Sequence, residues 1–208
     1  HIGRLAFPIF AFLAVEGYFH TRSFKRYALR MLLFAVLSEV PFDLMYGGTV
    51  FYPVHQNVIW TLLLGLLGIR LMEAARAKGK RWLYVLTCAA VVVLGFALGT
   101  LGMVDYYGAG VLTVFAFYFF RERKWWCLLG QLAALYWLNV AVLGGQMYPV
   151  TLFGREIELC EQGLALLALV PIWLYRGRQG HHSKAFQYAC YAFYPAHMLV
   201  LALLTMIQ

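Results

Sequence analysis

The stretch from Asn57 to Ala75, NVIWTLLLGLLGIRLMEAA, decides the fold. From Trp60 to Leu67 its apolar residues follow one another without the alternation of a half-buried strand. A run of this length is about enough to cross the hydrocarbon core of a bilayer. A segment in lipid must satisfy its own backbone hydrogen bonds, which leaves a helix. Runs of similar character lie at 5–19, 27–46, 82–103, 107–120, 125–143, 160–175 and 186–207. The expected fold is therefore all-α: a polytopic transmembrane helical bundle of about eight spans, forming one transmembrane domain over 1–208. No strands are expected, and the segments between runs read as loops.

Composition agrees with this reading. Hydrophobic residues make up 63% of the chain and charged residues 12%, about half the charged share of a soluble domain. Mean hydropathy is +0.72. Aromatic residues reach 17% and gather at the ends of the apolar runs, as in interfacial belts. The four cysteines show neither metal-ligand nor CxxC spacing and read as small core residues.

The net charge of +8 is explained by topology, so no nucleic-acid partner is expected. Arg22, Lys25 and Arg26 follow the first run; Arg76, Lys78, Lys80 and Arg81 follow the third. Arg121, Arg123 and Lys124 follow the fifth, and Arg176, Arg178 and Lys184 the seventh. Thirteen of the 17 basic residues thus fall on one side, whereas the opposite loops contain only Arg155. The positive-inside rule places the basic loops in the cytoplasm. The first run then travels inward, with Arg4 near the outer surface, which implies a further N-terminal span before it.

Ionisable residues inside spans are costly and mark function by default. Glu39 and Asp43 lie four apart on one face near the outer end of the second run, with Pro41 between them as a kink or an end. His55, Gln56 and Asn57 precede the third run; Asp105 with Tyr106 and Tyr107 sits in the next outer turn, at the level of Arg4. Each has a plainer reading: Asn57 as a helix cap, Asp105 as a solvated turn acid, Glu39 as a partner of Arg4. An inner set comprises Glu16, His20, Arg22, Lys25, Arg26 and Arg30. These residues suit either a membrane anchor or a site for a phosphorylated ligand. His197 stands within the eighth run as a core hydrogen-bonder, a proton carrier or a substrate contact. Gln131 and Asn139 read as interhelical hydrogen-bonders. His181 and His182 read as a solvated loop pair, and no metal site is expected.

Five blocks, in order, resemble the TraX family. They are Ile2-Gly3-Arg4-Leu5-Ala6-Phe7-Pro8-Ile9-Phe10-Ala11-Phe12 with Glu16-Gly17-Tyr18-Phe19-His20-Thr21-Arg22, then Ser38-Glu39-Val40-Pro41-Phe42-Asp43, then His55-Gln56-Asn57. Asp105-Tyr106-Tyr107-Gly108 and Tyr194-Pro195-Ala196-His197 complete the set. The family contains the F-pilin acetylase and is similar to polytopic acyltransferases that use cytoplasmic acyl-CoA. Its members usually carry an earlier span with an Asp-His-Ile-Gly block; here His1-Ile2-Gly3 runs directly into Arg4 and is read as loop.

The resemblance implies a membrane-embedded acetyltransferase in the bacterial cytoplasmic (inner) membrane. Acetyl-CoA is the implied donor, and a pilin-like N-terminus, glycan or lipid the acceptor, reached from outside or within the bilayer. His55 becomes the candidate general base, with Glu39 or Asp43 orienting it. Asn57 and Arg4 are candidate oxyanion or substrate ligands. Asp105, Tyr106 and His197 are further substrate contacts, and His20, Arg22, Lys25, Arg26 and Arg30 candidate CoA contacts. The rival reading is a proton-coupled transporter that uses the same polar residues, although no internal repeat of the usual transporter kind is visible.

Overall fold

The computed structural model describes residues 3–152, 155–177 and 183–207. The helices are α1 (Gly3–His20), α2 (Phe24–Gly47), α3 (Val58–Ala77), α4 (Arg81–Leu101), α5 (Tyr107–Phe119) and α6 (Trp125–Tyr136), which continues as a π-helical stretch, Trp137–Leu143. A 3-10 helix, Glu161–Ala168, leads into α7 (Leu169–Leu174), and α8 (Lys184–Ile207) ends the bundle. Eight helical segments therefore stand where the eight apolar runs lie, and the fold is an all-α bundle. Three of them, Val58–Ala77, Arg81–Leu101 and Trp125–Leu143, are long and apolar enough to cross a membrane.

The local chemistry of the ends explains these boundaries. Ser23 caps α2 by accepting from the Arg26 amide, and Gly48 terminates it in a left-handed conformation with φ of 66°. Asn57 caps α3 by accepting from the Ile59 amide at 3.0 Å. Pro41 neither ends α2 nor precedes its end directly, because the helix continues to Gly47. The cost is one missing backbone bond, which the flanking packing tolerates.

Helix α5 is the axis of the bundle. It is short and apolar on all sides, and it is buried along nearly its whole length, as expected of a helix surrounded by others. It packs against α1, α3, α4 and α6. Glycines permit the closest crossings. A Cβ at Gly65 would stand 2.6 Å from the Val114 side chain, and one at Gly108 would stand 2.4 Å from the Phe96 carbonyl oxygen. Backbone cannot yield there as a flexible side chain can. Gly108→Ala is expected to cost about 1–3 kcal/mol, read as a lower unfolding midpoint in detergent. Gly163→Ala meets only ordinary contact, with a nearest atom at 3.7 Å, and is the control.

Two segments differ from expectation. The segment after the π-helical stretch contains an antiparallel pair, β1 (Met147–Leu152) with β2 (Arg155–Cys160), so the structure is not strand-free. The apolar run at 160–175 begins as a 3-10 helix and only its second part is α-helical. Asn139 also departs from its expected role: its amide donates to the Leu135 carbonyl of its own helix at 2.8 Å. Gln131 does join elements, donating to the Phe120 carbonyl and accepting from the Trp173 indole, each at 2.8 Å.

Candidate functional site

The C-terminal end of α2 and the N-terminal ends of α3 and α5 meet in a polar cluster. Parallel bridging ties its loops together: the Gln56 amide donates to the Met103 carbonyl and the Asp105 amide to the Gln56 carbonyl, both at 2.9 Å. Thr61 adds a hydroxyl donated to the Asp105 carbonyl at 2.6 Å. Within this turn Met103, Tyr106 and Tyr107 have φ of 49°, 61° and 49°. Three side chains in the left-handed region within five residues store strain that the surrounding bonds hold in place.

The turn aims Asp105 at His55. The carboxylate Oδ1 lies 3.4 Å from His55 Nε2, with the imidazole almost enclosed and the carboxylate partly exposed. Aromatic rings fix the imidazole plane: Tyr46 stacks at 4.6 Å, Phe42 at 5.7 Å, and Tyr107 meets its edge at 5.7 Å. Neither Glu39 nor Asp43 orients His55, contrary to the sequence expectation. Glu39 Oε2 accepts from the Asn57 amide and, at 2.9 Å, from the Trp60 indole. Asp43 Oδ2 accepts from the Tyr52 amide at 2.9 Å, which closes the loop after α2.

Asn57 is fully buried, and its donors are already committed to Glu39 and, at 2.8 Å, to the Ala35 carbonyl. It is therefore a positioning residue, with no free hydrogen for an oxyanion. Three buried atoms on the same α2 face have no hydrogen-bond partner: Ser38 Oγ, Glu39 Oε1 and Asp43 Oδ1.

Arg4 does not pair with Glu39. Packing of α1 on the 3-10 helix brings its guanidinium to Glu161, at 3.5 Å, and also within reach of the Tyr106 hydroxyl. Tyr106 stacks on Phe7 at 4.2 Å. Burial, reinforced by Asp105 and opposed by Arg4, pushes its phenol above the usual value of 10.0, so it remains a proton donor at neutral pH. His197 bonds its own helix through the Phe193 carbonyl at 3.0 Å and meets the Tyr194 ring edge-on. Tyr194 itself reaches the Val58 backbone and stands near Asp105, Glu39 and Tyr106. Tyr194 and Trp60, which the sequence gives no chemical role, thus stand closer to the cluster than His197 does.

The opposite end of the bundle carries two hollows. One, of about 590 Å³, gathers Arg22 and Lys25 with Arg70 and Glu73. Arg70, which no local spacing ties to the basic loop, joins because α3 ends beside it. Of the other expected donor contacts, His20 bonds the Glu16 carbonyl at 2.8 Å, and Arg30 lies over its neighbour Tyr27 on an exposed face. Arg26 is exposed and does not line this hollow. The second hollow, about 610 Å³, is lined by Glu16, Arg121, Arg123, Trp173, Tyr175 and Arg176 among others. His181 and His182 lie outside the described residues.

The family model described as TraX protein matches residues 1–205 and so covers both ends of the bundle. A probable fimbrial assembly protein FimC, serogroup H1, of Dichelobacter nodosus is 27% identical over 210 residues, spanning 96% of this chain and 80% of that protein. No solved structure matches. With a family match over almost every residue, from Arg4 through the outer cluster to α8, the chain belongs to the TraX family.

Proposed function

We propose that the protein is a multi-pass enzyme of the bacterial inner membrane that transfers an acetyl group from acetyl-CoA. The donor lies at the basic, cytoplasmic end, and the acceptor is extracytoplasmic or embedded in the membrane. The observation that carries this reading is the His55–Asp105 pair held in an aromatic cage at one end, opposite the arginine-rich hollows at the other. The relative from Dichelobacter nodosus bears the name of a fimbrial assembly protein, which favours a pilus-related role and a pilin-like N-terminus as acceptor. A glycan or lipid is the other acceptor class.

In this reading Asp105 holds His55 through Nε2, which leaves Nδ1 as the basic nitrogen, the arrangement of a carboxylate-oriented base. The acceptor nitrogen or oxygen attacks the thioester carbonyl, and its proton passes to His55. The C–S bond breaks, and the thiolate leaves with the proton that His55 returns. The products are the acetylated acceptor and free CoA. The open oxygens of Glu39 and Asp43 receive the acceptor's hydrogens, and Tyr106, Tyr194 and Arg4 donate toward the oxyanion. From Lys25 to Glu39 the helix rises about 21 Å, a span comparable to an extended pantetheine arm.

Glu39→Gln and Asp43→Asn are each expected to lower transfer about tenfold or more while acetyl-CoA binding persists. Sidedness has its own test. In a cysteine-free background, cysteines at Gly48 and Gly145 should react with an impermeant maleimide from outside, and one at Gly79 only from the cytoplasm. Outside labelling at Gly79 would reverse the orientation. Purified protein with labelled acetyl-CoA tests the reaction itself: acetylated acceptor is expected. Solute or proton flux lost in Glu39 and His55 variants, with no acetylated product from wild type, would establish the transporter instead.

A further inference from the structure

The larger hollow was invisible in the sequence, because its cations come from two loops about fifty residues apart. Its walls are fixed in place. Arg121 donates to the Glu16 carboxylate at 2.7 and 3.3 Å and lies 4.1 Å over the Phe19 ring. Glu16 thus neutralises Arg121 and holds it still.

Arg123 is different. It donates to the neutral Tyr175 carbonyl at 2.9 Å, and its guanidinium lies 5.2 Å from the Trp173 ring. Trp173 is itself pinned by its bond to Gln131. Among the described ion pairs no carboxylate offsets Arg123 or Arg176.

Two chemistries are therefore offered in one cavity. A fixed indole and guanidinium present flat faces to a planar heterocycle. Arginines without carboxylate partners present forks to a phosphomonoester. A volume of about 610 Å³ lies within the ordinary size of a ligand pocket.

The neighbouring hollow, with Arg22, Lys25 and Arg70, is separated from this one by Phe19 under Arg121. We propose that the Arg123–Trp173–Arg176 hollow binds the adenine 3′-phosphate end of the donor CoA, while the Arg22–Lys25–Arg70 hollow receives its diphosphate. This assignment rests on the acetyl-transfer reading.

The test compares CoA with 3′-dephospho-CoA by titration calorimetry on the full chain in nanodiscs. Wild type is expected to favour CoA by about tenfold or more. Arg123→Ala with Arg176→Ala should abolish that preference. Lys25→Ala with Arg70→Ala should weaken both ligands alike and leave the ratio intact. A merely structural role for the arginines would not move the ratio. Should the double variant misfold, Arg176→Ala alone, in an exposed loop, should reduce the preference.

A preference that survives in the Arg123/Arg176 variant, that vanishes instead in the Lys25/Arg70 variant, or that wild type lacks, overturns the assignment. Acetyl transfer would still stand in those cases. Failure of wild type to bind either nucleotide removes the donor reading and this assignment together.

Discussion

His55→Ala is expected to lower acetyl transfer by about 10²–10⁴-fold, the usual contribution of a positioned general base, with acetyl-CoA affinity unchanged. The separation follows from geometry. His55 lies in the loop before α3, whereas Arg70, which lines one of the hollows, stands about 18 Å along that helix from its first residue. Stability should fall little, because the aromatic cage can relax around the vacated ring. Asp105→Asn gives the complementary result. The imidazole loses its orienting charge and transfer falls, but the Asp105 backbone bonds to Gln56 and Thr61 keep the turn in place. The check is initial rate against donor affinity, measured on the same preparations. Equal transfer by wild type and His55→Ala would remove His55 from the chemistry and leave the cluster without a base.

The second large effect concerns stability. Asn57→Ala is expected to cost about 3–7 kcal/mol, made of a helix cap worth about 1 and two acceptors stripped of a donor at about 1–3 each. Asn57 is 0% exposed, so water cannot replace the lost amide at Glu39 or at the Ala35 carbonyl. The expected readout is loss of the folded, monodisperse protein in detergent, or a sharply lower unfolding midpoint. Trp60→Phe removes only one of the donors to Glu39 and should cost about 1–2 kcal/mol. If Asn57→Ala unfolds no earlier than Trp60→Phe, Asn57 is not the peg between α2 and α3.

The helices were legible because lipid imposes a simple rule on the sequence. A spanning segment must be apolar for about twenty residues and bond its own backbone, so Asn57–Ala75 and its seven counterparts stand out without any knowledge of tertiary contacts. The hairpin at Met147–Cys160 was not legible. Its two six-residue stretches mix apolar and polar residues over lengths too short to stand out beside the spans, and Pro149 argues against a strand.

The candidate site was legible in membership and less so in pairing. Glu39, Asp43, His55, Asn57 and Asp105 do converge, since each stands in or beside the ends of α2, α3 and α5 that meet. Their partners follow from side-chain directions that sequence spacing does not carry. His55 pairs with Asp105 across fifty residues, Arg121 reaches Glu16 across 105, and Arg4 meets Glu161. The position of Tyr194 carried a usable signal, an aromatic hydroxyl one helical turn from an intramembrane His, yet the imidazole drew the attention. Asn57 shows the reverse case. Its capping role was the plainer reading, and burial with both amide hydrogens committed makes it the correct one.

The most direct measurement uses oriented proteoliposomes loaded with a pilin-like peptide acceptor, with labelled acetyl-CoA supplied to one face at a time. Label on an acceptor at the His55 face, only when acetyl-CoA is given at the face bearing Arg22, Arg70 and Arg123, is the expected result. Label that appears equally from either face, or no acetylated acceptor from wild type, would contradict it.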